Sequence, residues 1–327
     1  MKSILSINPH RIELNALLMQ PTRWCGLSCT GCYVKKHAGS SLGYHTPWEE
    51  QWRLFVAFYR GAHWANQITI SIDDLPQDPT QRHHMIMLTD AILSELETDS
   101  RLIEDRPEVH MTLHSPDTLR QYFDERVYHW TRLSMISFSE LNLDLESTWH
   151  ALDYFRHAKT PVNYNKLVHF TTNFDKEIRD LEQEVSMVDH CHLVMNKRPI
   201  GSVGPRIPVD GNYMQSYSLY ISEVVDNLNK DARDKISFDS CLLDVVKHSR
   251  SGFGCSANIS KFQVWPDGSV SGCPYAFRGI TEVGKSAASI VENIYTASKR
   301  YEFREDCHLR DIYSSLNRRP ESRLFQI

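Results

Sequence analysis

The sequence predicts an α/β fold built on a parallel sheet, and three observations support this prediction. Six short segments rich in β-branched and apolar residues alternate with segments of helical periodicity. Strands and helices in this order form right-handed crossovers, which produce a parallel sheet. The chain has 327 residues, of which 41% are hydrophobic, enough for a large core. Six repeats are too few to close an ordinary eight-stranded barrel.

The elements follow one another in a regular order. Residues 11–19 form the first predicted strand, and a helix follows after a loop. At its start Thr46 is the predicted cap, Pro47 takes the first helical position and Glu49 completes a capping box, with the helix ending near Arg60. Further strands are predicted at residues 67–72, 108–113, 133–138, 162–170 and 190–195, and further helices at 80–97, 116–127, 145–157, 174–186 and 212–228.

Three cysteines lie close together in the loop after the first strand: Cys25, Cys29 and Cys32. Three thiols so close cannot form a set of mutual disulfides, and soft sulfur ligands favour zinc, copper(I) or an iron–sulfur cluster. Three ligands from one loop suit a cubane cluster with one iron open to another ligand. A zinc loop and three unrelated buried thiols are the alternatives.

The run C-G-L-S-C-T-G-C-Y at residues 25–33 resembles the signature of the radical SAM superfamily. It keeps the three cysteines, the leucine and the trailing Tyr33, and departs at Gly26 and Gly31, where the family often has asparagine and an aromatic residue. The resemblance implies that the three cysteines hold a [4Fe–4S] cluster, with Tyr33 among the cofactor-binding residues.

The same resemblance implies the chemistry and the barrel. The open iron would bind S-adenosylmethionine (SAM), and an electron from a donor such as flavodoxin or ferredoxin would cleave it to a 5′-deoxyadenosyl radical. That radical would then abstract hydrogen from substrate. The fold implied is a partial (β/α)6 barrel, with its chemistry at the C-terminal ends of the strands.

The predicted SAM contacts after the second strand depart from the family pattern. The family usually has G-G-E-P there, and this chain has I-D-D-L-P at residues 72–76. Asp73 and Asp74 can still accept hydrogen bonds from the methionyl ammonium group. A turn that binds no ligand is the alternative.

Three more positions on the fourth and fifth strands resemble SAM contacts of the family. Ser137 and Ser139 share one face of the fourth strand by alternation, and either matches the serine that approaches SAM. Asn165 matches an asparagine of the fifth strand, although an asparagine there also serves to bond loop backbone.

A second group of cysteines surrounds a predicted β-hairpin at residues 262–271, with Asp-Gly in its turn. The spacing from Cys255 through Gly268 to Cys273 resembles the SPASM/twitch extension of radical SAM enzymes. That resemblance implies one auxiliary [4Fe–4S] cluster held by Cys255 and Cys273 with Cys241 and Cys307. Structural zinc on the same four thiolates, or an open cluster with three ligands, are the alternatives.

The predicted organisation has three parts. Residues 1–196 are the radical SAM partial barrel, 197–235 a linker with a helix that closes the barrel, and 236–327 a small α+β auxiliary-cluster domain. The remaining cysteine, Cys191, and the histidines have no ligand spacing and are interpreted as core or surface residues, although His114 and His192 lie near strand ends.

Composition restricts the partners. A formal net charge of −5 and the absence of a basic stripe argue against nucleic acid. No apolar run approaches a membrane span and no signal pattern precedes the first strand, so we expect a cytoplasmic chain without a membrane partner. We expect no leader-peptide recognition domain before Arg11, which argues against a peptide substrate unless a separate protein supplies the recognition.

The function that these patterns favour is that of an enzyme. The SPASM-like hairpin favours oxidative modification of a ribosomally made peptide, by bond formation or dehydrogenation. A dehydrogenase or mutase acting on a small molecule is the alternative within the family. A non-catalytic zinc or iron–sulfur protein is the alternative from another class.

Overall fold

The protein is represented by a computed structural model, which describes residues 14–21, 46–60, 65–72, 78–119, 130–168, 173–195, 211–238, 261–272 and 286–298. The strands are β1 (Leu14–Met19), β2 (Ala65–Ile72), β3 (Glu108–Leu113), β4 (Met135–Phe138), β5 (Val162–Val168), β6 (His190–Met195), β7 (Ile236–Phe238), β8 (Lys261–Val264) and β9 (Val270–Ser271). The helices are α1 (Trp48–Arg60), α2 (Pro79–Thr98), α3 (Glu146–Ala158), α4 (Phe174–Ser186), α5 (Gly211–Asn227), α6 (Lys230–Asp234) and α7 (Ala287–Ser298).

The nine strands form one sheet in the order β7-β6-β5-β4-β3-β2-β1-β8-β9. Every pair is parallel except β8 with β9. From β1 to β7 each strand lies beside its predecessor in the chain, so the crossovers all advance in one direction, as in a β/α barrel and unlike a doubly wound sheet. β7 and β9 are the two edges of the sheet that the described residues form, so this barrel is open.

Most of the predicted elements are confirmed. β3, β6 and α4 have the predicted bounds, and the other predicted strands and helices overlap those observed. Within the predicted helix at 116–127, residues 116–119 are helical and 120–127 lie outside the described residues, as do residues 11–13 and 169–170 of two predicted strands. Helices α6 and α7 and strand β7 were not predicted from the sequence. Among the described helices, none combines the length and apolarity needed to cross a membrane.

The predicted cap of α1 is wrong. Thr46 Oγ1 is buried and has no hydrogen-bond partner among the described residues, and the Thr46 N–H donates to Pro266 O at 2.7 Å. The first turn is satisfied instead by Pro47 O, which accepts from the N–H groups of Glu50 and Gln51 at 3.0 and 3.1 Å. A tertiary bond to a distant turn therefore replaces the local capping box.

One face of the sheet, which we call the helix-covered face, is apolar. On β2 it carries Ile68, Ile70 and Ile72, at most 1% exposed. Helices α3 and α4 lie against it, since Phe138 packs on Phe155 with ring centroids 6.3 Å apart and Lys166 bonds Glu184. The strand residues that continue this face are Val109, Met111, Leu113, Ile136, Phe138, Val162, Tyr164, Cys191 and Leu193, all buried.

The predicted hairpin is confirmed as β8–β9. Gly268 adopts a φ of 77°, the left-handed conformation that glycine tolerates best, and its N–H donates to Trp265 O at 2.9 Å. Asp267 Oδ1 accepts from the Ser269 N–H at 2.9 Å, which fixes the turn. β8 pairs in parallel with β1, so the hairpin extends the barrel sheet across the predicted boundaries at residues 197 and 236. The division into three domains stays a prediction.

Candidate functional site

The opposite face of the sheet, which we call the open face, carries a row of polar side chains across four strands. Ser71 pairs with Thr112, Thr112 with Ser137, and Ser137 with Asn163. Ser71, Ser137 and Asn163 are only 5–6% exposed. A parallel sheet covered on both faces has apolar residues on both. A polar row at this depth indicates a face built to surround a polar ligand or water rather than to pack a core.

Asn163 organises the two predicted contacts on β4 and β5. Its Nδ2 donates to Ser137 Oγ at 3.1 Å and to Asn165 Oδ1 at 2.9 Å. Both amide protons are thereby used, and Ser137, accepting one of them, keeps its own hydroxyl proton to donate elsewhere. The structure therefore brings Ser137 and Asn165 together through a residue that the sequence analysis missed.

Ser139 lies at the end of β4 and is exposed. Its N–H donates to the carbonyls of Leu113 and His114, at 3.1 and 3.0 Å. His114 Nε2 lies 2.8 Å from Glu140 Oε2, and the Glu140 N–H donates to His114 O at 2.7 Å. The C-terminal ends of β3 and β4 are thus joined, and His114 takes part in this junction at the strand ends.

His110 lies on the open face two residues before Thr112 on β3, and its hydrogen-bond partners hold the ring in one tautomer. Gln67 Nε2 donates to Thr69 Oγ1 and lies 3.0 Å from His110 Nδ1, which must accept because an amide nitrogen cannot. The ring proton is therefore on Nε2, 3.1 Å from Glu108 Oε2. Burial lowers the pKa of His110, Glu108 opposes this shift, and His190 adds to it.

Strand β6 carries His192 on the open face and Cys191 on the helix-covered face. His192 Nδ1 lies 2.9 Å from Ser237 Oγ on β7. Cys191 is a free thiol on the helix-covered face, and burial raises its pKa to about 12. Its interpretation as a core residue is confirmed. Within the described ranges, no group of three histidine, cysteine or acidic side chains could hold a metal ion.

The segment that contains the first three cysteines follows Pro21 in the sequence, just after the C-terminal end of β1, and lies outside the described residues. Gln20, on the open face beyond β1, donates its N–H to Val264 O at 2.9 Å. The other predicted site residues lie outside the part of the chain that the structure describes: Cys25, Cys29, Cys32, Tyr33, Asp73, Asp74, Cys241, Cys255, Cys273 and Cys307. Their roles stay predictions.

Most residues of the polar row were not predicted from the sequence. Asn163 precedes Asn165 by two residues, so strand alternation places both on one face, and this signal was available. Ser71 and Thr112 gave no local signal, because a single hydroxyl in a β-branched strand is ordinary. Only the register of β2 against β3 brings them together.

Solved structures share this fold. Streptococcus suis SuiB bound to S-adenosylmethionine matches with a TM-score of 0.55 and 14% identity, over 85% of this chain and 65% of SuiB. SuiB bound to precursor peptide SuiA gives 0.56 and 13%, over 88% and 66%. Native anSMEcpe with bound AdoMet (SAM) and Kp18Cys peptide gives 0.55 and 14%, over 89% and 81%. No protein-family model and no curated protein matches the chain.

These matches confirm the predicted fold class. SuiB and anSMEcpe have the partial barrel of radical SAM enzymes, and this chain has the same fold. At 13–14% identity the likeness concerns the fold. The chain spans slightly less than two thirds of the length of SuiB.

Proposed function

We propose that this protein is a radical SAM enzyme that cleaves SAM to a 5′-deoxyadenosyl radical, which abstracts hydrogen from substrate. The observation that carries the proposal is the row of buried polar side chains on the open face of the sheet, whose first strand, β1, is followed in the sequence by the C-x3-C-x2-C motif. The shared fold supports it, because the SuiB and anSMEcpe structures contain the same cofactor.

The chemistry of the donor groups fits the two cofactors. SAM presents an ammonium, a carboxylate and ribose hydroxyls, and the open face offers the hydroxyl proton of Ser137 and the amide of Asn165. Asp73 and Asp74 would accept from the ammonium, and Ser139 and Tyr33 complete the proposed SAM contacts. Cys25, Cys29 and Cys32 would hold the cluster as soft thiolate ligands. The cluster, when bound, supplies the electron that cleaves SAM.

The auxiliary cluster is the second part of the proposal. Its support is the observed hairpin, because β8 and β9 bring together the chain segments that lead to Cys255 and Cys273. Cys241 and Cys307 would complete the ligands.

We assign the substrate to the ribosomally made peptides and the reaction to oxidative modification of them. Both sets of neighbours support this class, since one SuiB structure contains precursor peptide SuiA and one anSMEcpe structure contains Kp18Cys peptide. The row of polar side chains on the open face provides donors and acceptors for peptide amides. A flavodoxin or ferredoxin as electron donor and a cytoplasmic location complete the proposal.

The test measures iron, sulfide and 5′-deoxyadenosine after anaerobic reconstitution. We expect about eight irons per chain, falling to about four with loss of deoxyadenosine in the Cys25/Cys29/Cys32→Ala variant, as two [4Fe–4S] clusters require. Cys191→Ala is the matched control and should keep all the iron, because Cys191 lies in the core. Zinc in place of iron, with no deoxyadenosine, would overturn the proposal. About four irons in the wild type would remove the auxiliary cluster only.

A further inference from the structure

Gln51 on α1 contacts both flanks of the segment that carries the three cysteines. Residues 22–45 lie outside the described residues, and Pro21 and Thr46 border them. Gln51 Nε2 donates to Pro21 O at 3.2 Å and to Thr46 O at 3.1 Å. A single side chain, 5% exposed, therefore bonds the carbonyls on either side of this segment.

The orientation of the Gln51 amide is determined by its partners. Carbonyl oxygens only accept, so the nitrogen and not the oxygen of the amide must face them. His84 on α2 places its Nε2 3.2 Å from the same nitrogen, which gives the amide a third neighbour. One helical turn further, Leu54 and Phe55 are fully buried, so the backbone that carries Gln51 is fixed in the core.

The hairpin holds the same two flanks independently. The Gln20 N–H donates to Val264 O at 2.9 Å, and the Thr46 N–H donates to Pro266 O at 2.7 Å. Each flank is thus bonded once to α1 and once to the hairpin. Of these contacts, only those from Gln51 come from a side chain, so only they depend on which residue occupies the position.

We infer that Gln51 is the positioning residue of the first cluster: it fixes the separation of the two chain ends between which Cys25, Cys29 and Cys32 must converge on one group of irons. This inference rests on the proposed function. Metal sites rarely exist before metal binds, so ordering their ligands opposes binding. A chain whose two ends are already fixed has fewer conformations to lose. Residues that orient metal ligands from outside the coordination sphere affect metal retention in the same way.

The experiment compares Gln51→Met with the wild type. Methionine keeps the length and apolar volume of the side chain and removes both donated bonds. We expect iron to leave the reconstituted Gln51→Met protein for a chelator about tenfold faster, the lower end of the range for such outer residues. We also expect a changed electron paramagnetic resonance signal of the reduced first cluster. Both are measured in a Cys255/Cys273→Ala background, which reports on the first cluster alone.

Thr89→Val is the matched control. Thr89 is buried on α2, its Oγ1 has no hydrogen-bond partner among the described residues, and valine has the same shape. Iron loss at the wild-type rate is expected there. Iron loss at the wild-type rate in Gln51→Met would overturn the inference. If Gln51→Met does not fold, Gln51→Asn serves instead, because it keeps an amide that is too short to reach both carbonyls.

Failure of the proposed function is distinguishable from failure of this inference. If wild-type protein binds no iron, the proposed function fails. Proteolysis of the metal-free protein still tests whether Gln51 fixes the two flanks of the segment. Trypsin can cut the segment at Arg23, Lys35 and Lys36. Cleavage there should be severalfold faster in metal-free Gln51→Met than in metal-free wild type, measured well below the thermal midpoint of either protein. Equal cleavage rates would contradict the role of Gln51 in fixing the flanks.

Discussion

The two faces of this sheet follow opposite rules, and β4 shows the contrast in adjacent residues. Phe138 points to the helix-covered face, is 0% exposed and packs against Phe155 of α3. Ser137 points to the open face, is 5% exposed and accepts a hydrogen bond from Asn163. Both are buried, but one is surrounded by apolar side chains and the other by polar ones. Burial alone therefore does not separate the core from the site, whereas the chemistry of the neighbours does.

The two faces also differ in which part of the molecule supplies the hydrogen-bond partners of their polar side chains. On the helix-covered face, Lys166 Nζ lies 2.8 Å from Glu184 Oε2 of α4, and Tyr164 Oη lies 3.5 Å from Glu184 Oε1. There the helix supplies the partner. On the open face, the polar residues of neighbouring strands bond one another, as Asn163 of β5 and Ser137 of β4 do. The open face keeps hydrogen-bond donors, such as the Ser137 hydroxyl, that can bind a ligand. On the helix-covered face, the polar groups bond to the helix and contribute to the stability of the fold.

The largest expected effect separates the two faces directly. Phe138→Ala should lower the free energy of unfolding by about 3–5 kcal/mol, because it opens a cavity against α3. Ser137→Ala should cost about 1 kcal/mol, since it removes one hydrogen bond. The binding of SAM should show the reverse, with affinity reduced about tenfold in Ser137→Ala, as loss of one hydrogen bond of roughly 1.4 kcal/mol gives. Urea unfolding and equilibrium dialysis of SAM measure the two effects. Equal losses of stability in Phe138→Ala and Ser137→Ala would contradict the distinction between an apolar core face and a polar ligand-binding face.

An intermediate effect tests the charged pair on the helix-covered face. Lys166→Met should destabilise the protein by about 3 kcal/mol at pH 7, because it leaves the buried Glu184 carboxylate without its partner. Burial already raises the pKa of Glu184, and Lys166 opposes that shift. The variant should therefore lose less stability at pH 5 than at pH 8, since a carboxyl with a raised folded-state pKa loses stability as the pH rises. Adding Glu184→Gln should recover most of the loss at pH 8. No recovery would mean that Lys166 acts by packing alone.

The regular β/α alternation could be predicted from sequence because its signals are local. α4 has the predicted bounds, and Asn173 Oδ1 accepts from the Lys176 N–H at 3.2 Å to cap it. β3 and β6 have the predicted bounds because turns or helices adjoin these short six-residue runs. By contrast, the pairing of β8 with β1 joins segments more than 240 residues apart, and no local pattern encodes it.

The candidate site was only partly predictable for the same reason. Strand alternation grouped Ser137 with Ser139, but Ser137 is in the buried row and Ser139 is exposed at the strand end. Asn163 connects Ser137 to Asn165 through the register of β4 against β5. Gln51 gave no signal, because a glutamine in an amphipathic helix looks like a surface residue. Its role depends on two carbonyls that the fold brings to it.

The smallest expected effect concerns how far the open face excludes water around His110. Burial lowers the pKa of His110, so the neutral ring predominates in the folded protein at pH values where the unfolded chain binds a proton. Stability from this group is present above the unfolded pKa of about 6.5 and is lost as the pH falls through the folded value. Protonation would also place a proton on Nδ1 against the Gln67 amide nitrogen.

His110→Gln should therefore lose less stability than the wild type between pH 7.5 and pH 5.5, as measured by urea unfolding. His83→Gln, at an exposed position on α2, is the control and should follow the wild type. Glu108 and His190 act on His110 in opposite directions, so a Glu108→Gln variant should steepen the acid loss by removing the carboxylate that favours the charged ring. If His110→Gln and wild type lose the same stability as the pH falls, His110 is hydrated in the folded protein and the open face around it is not desolvated. A difference between them shows instead that this part of the open face is desolvated in the absence of ligand, as a site prepared to surround a substrate requires.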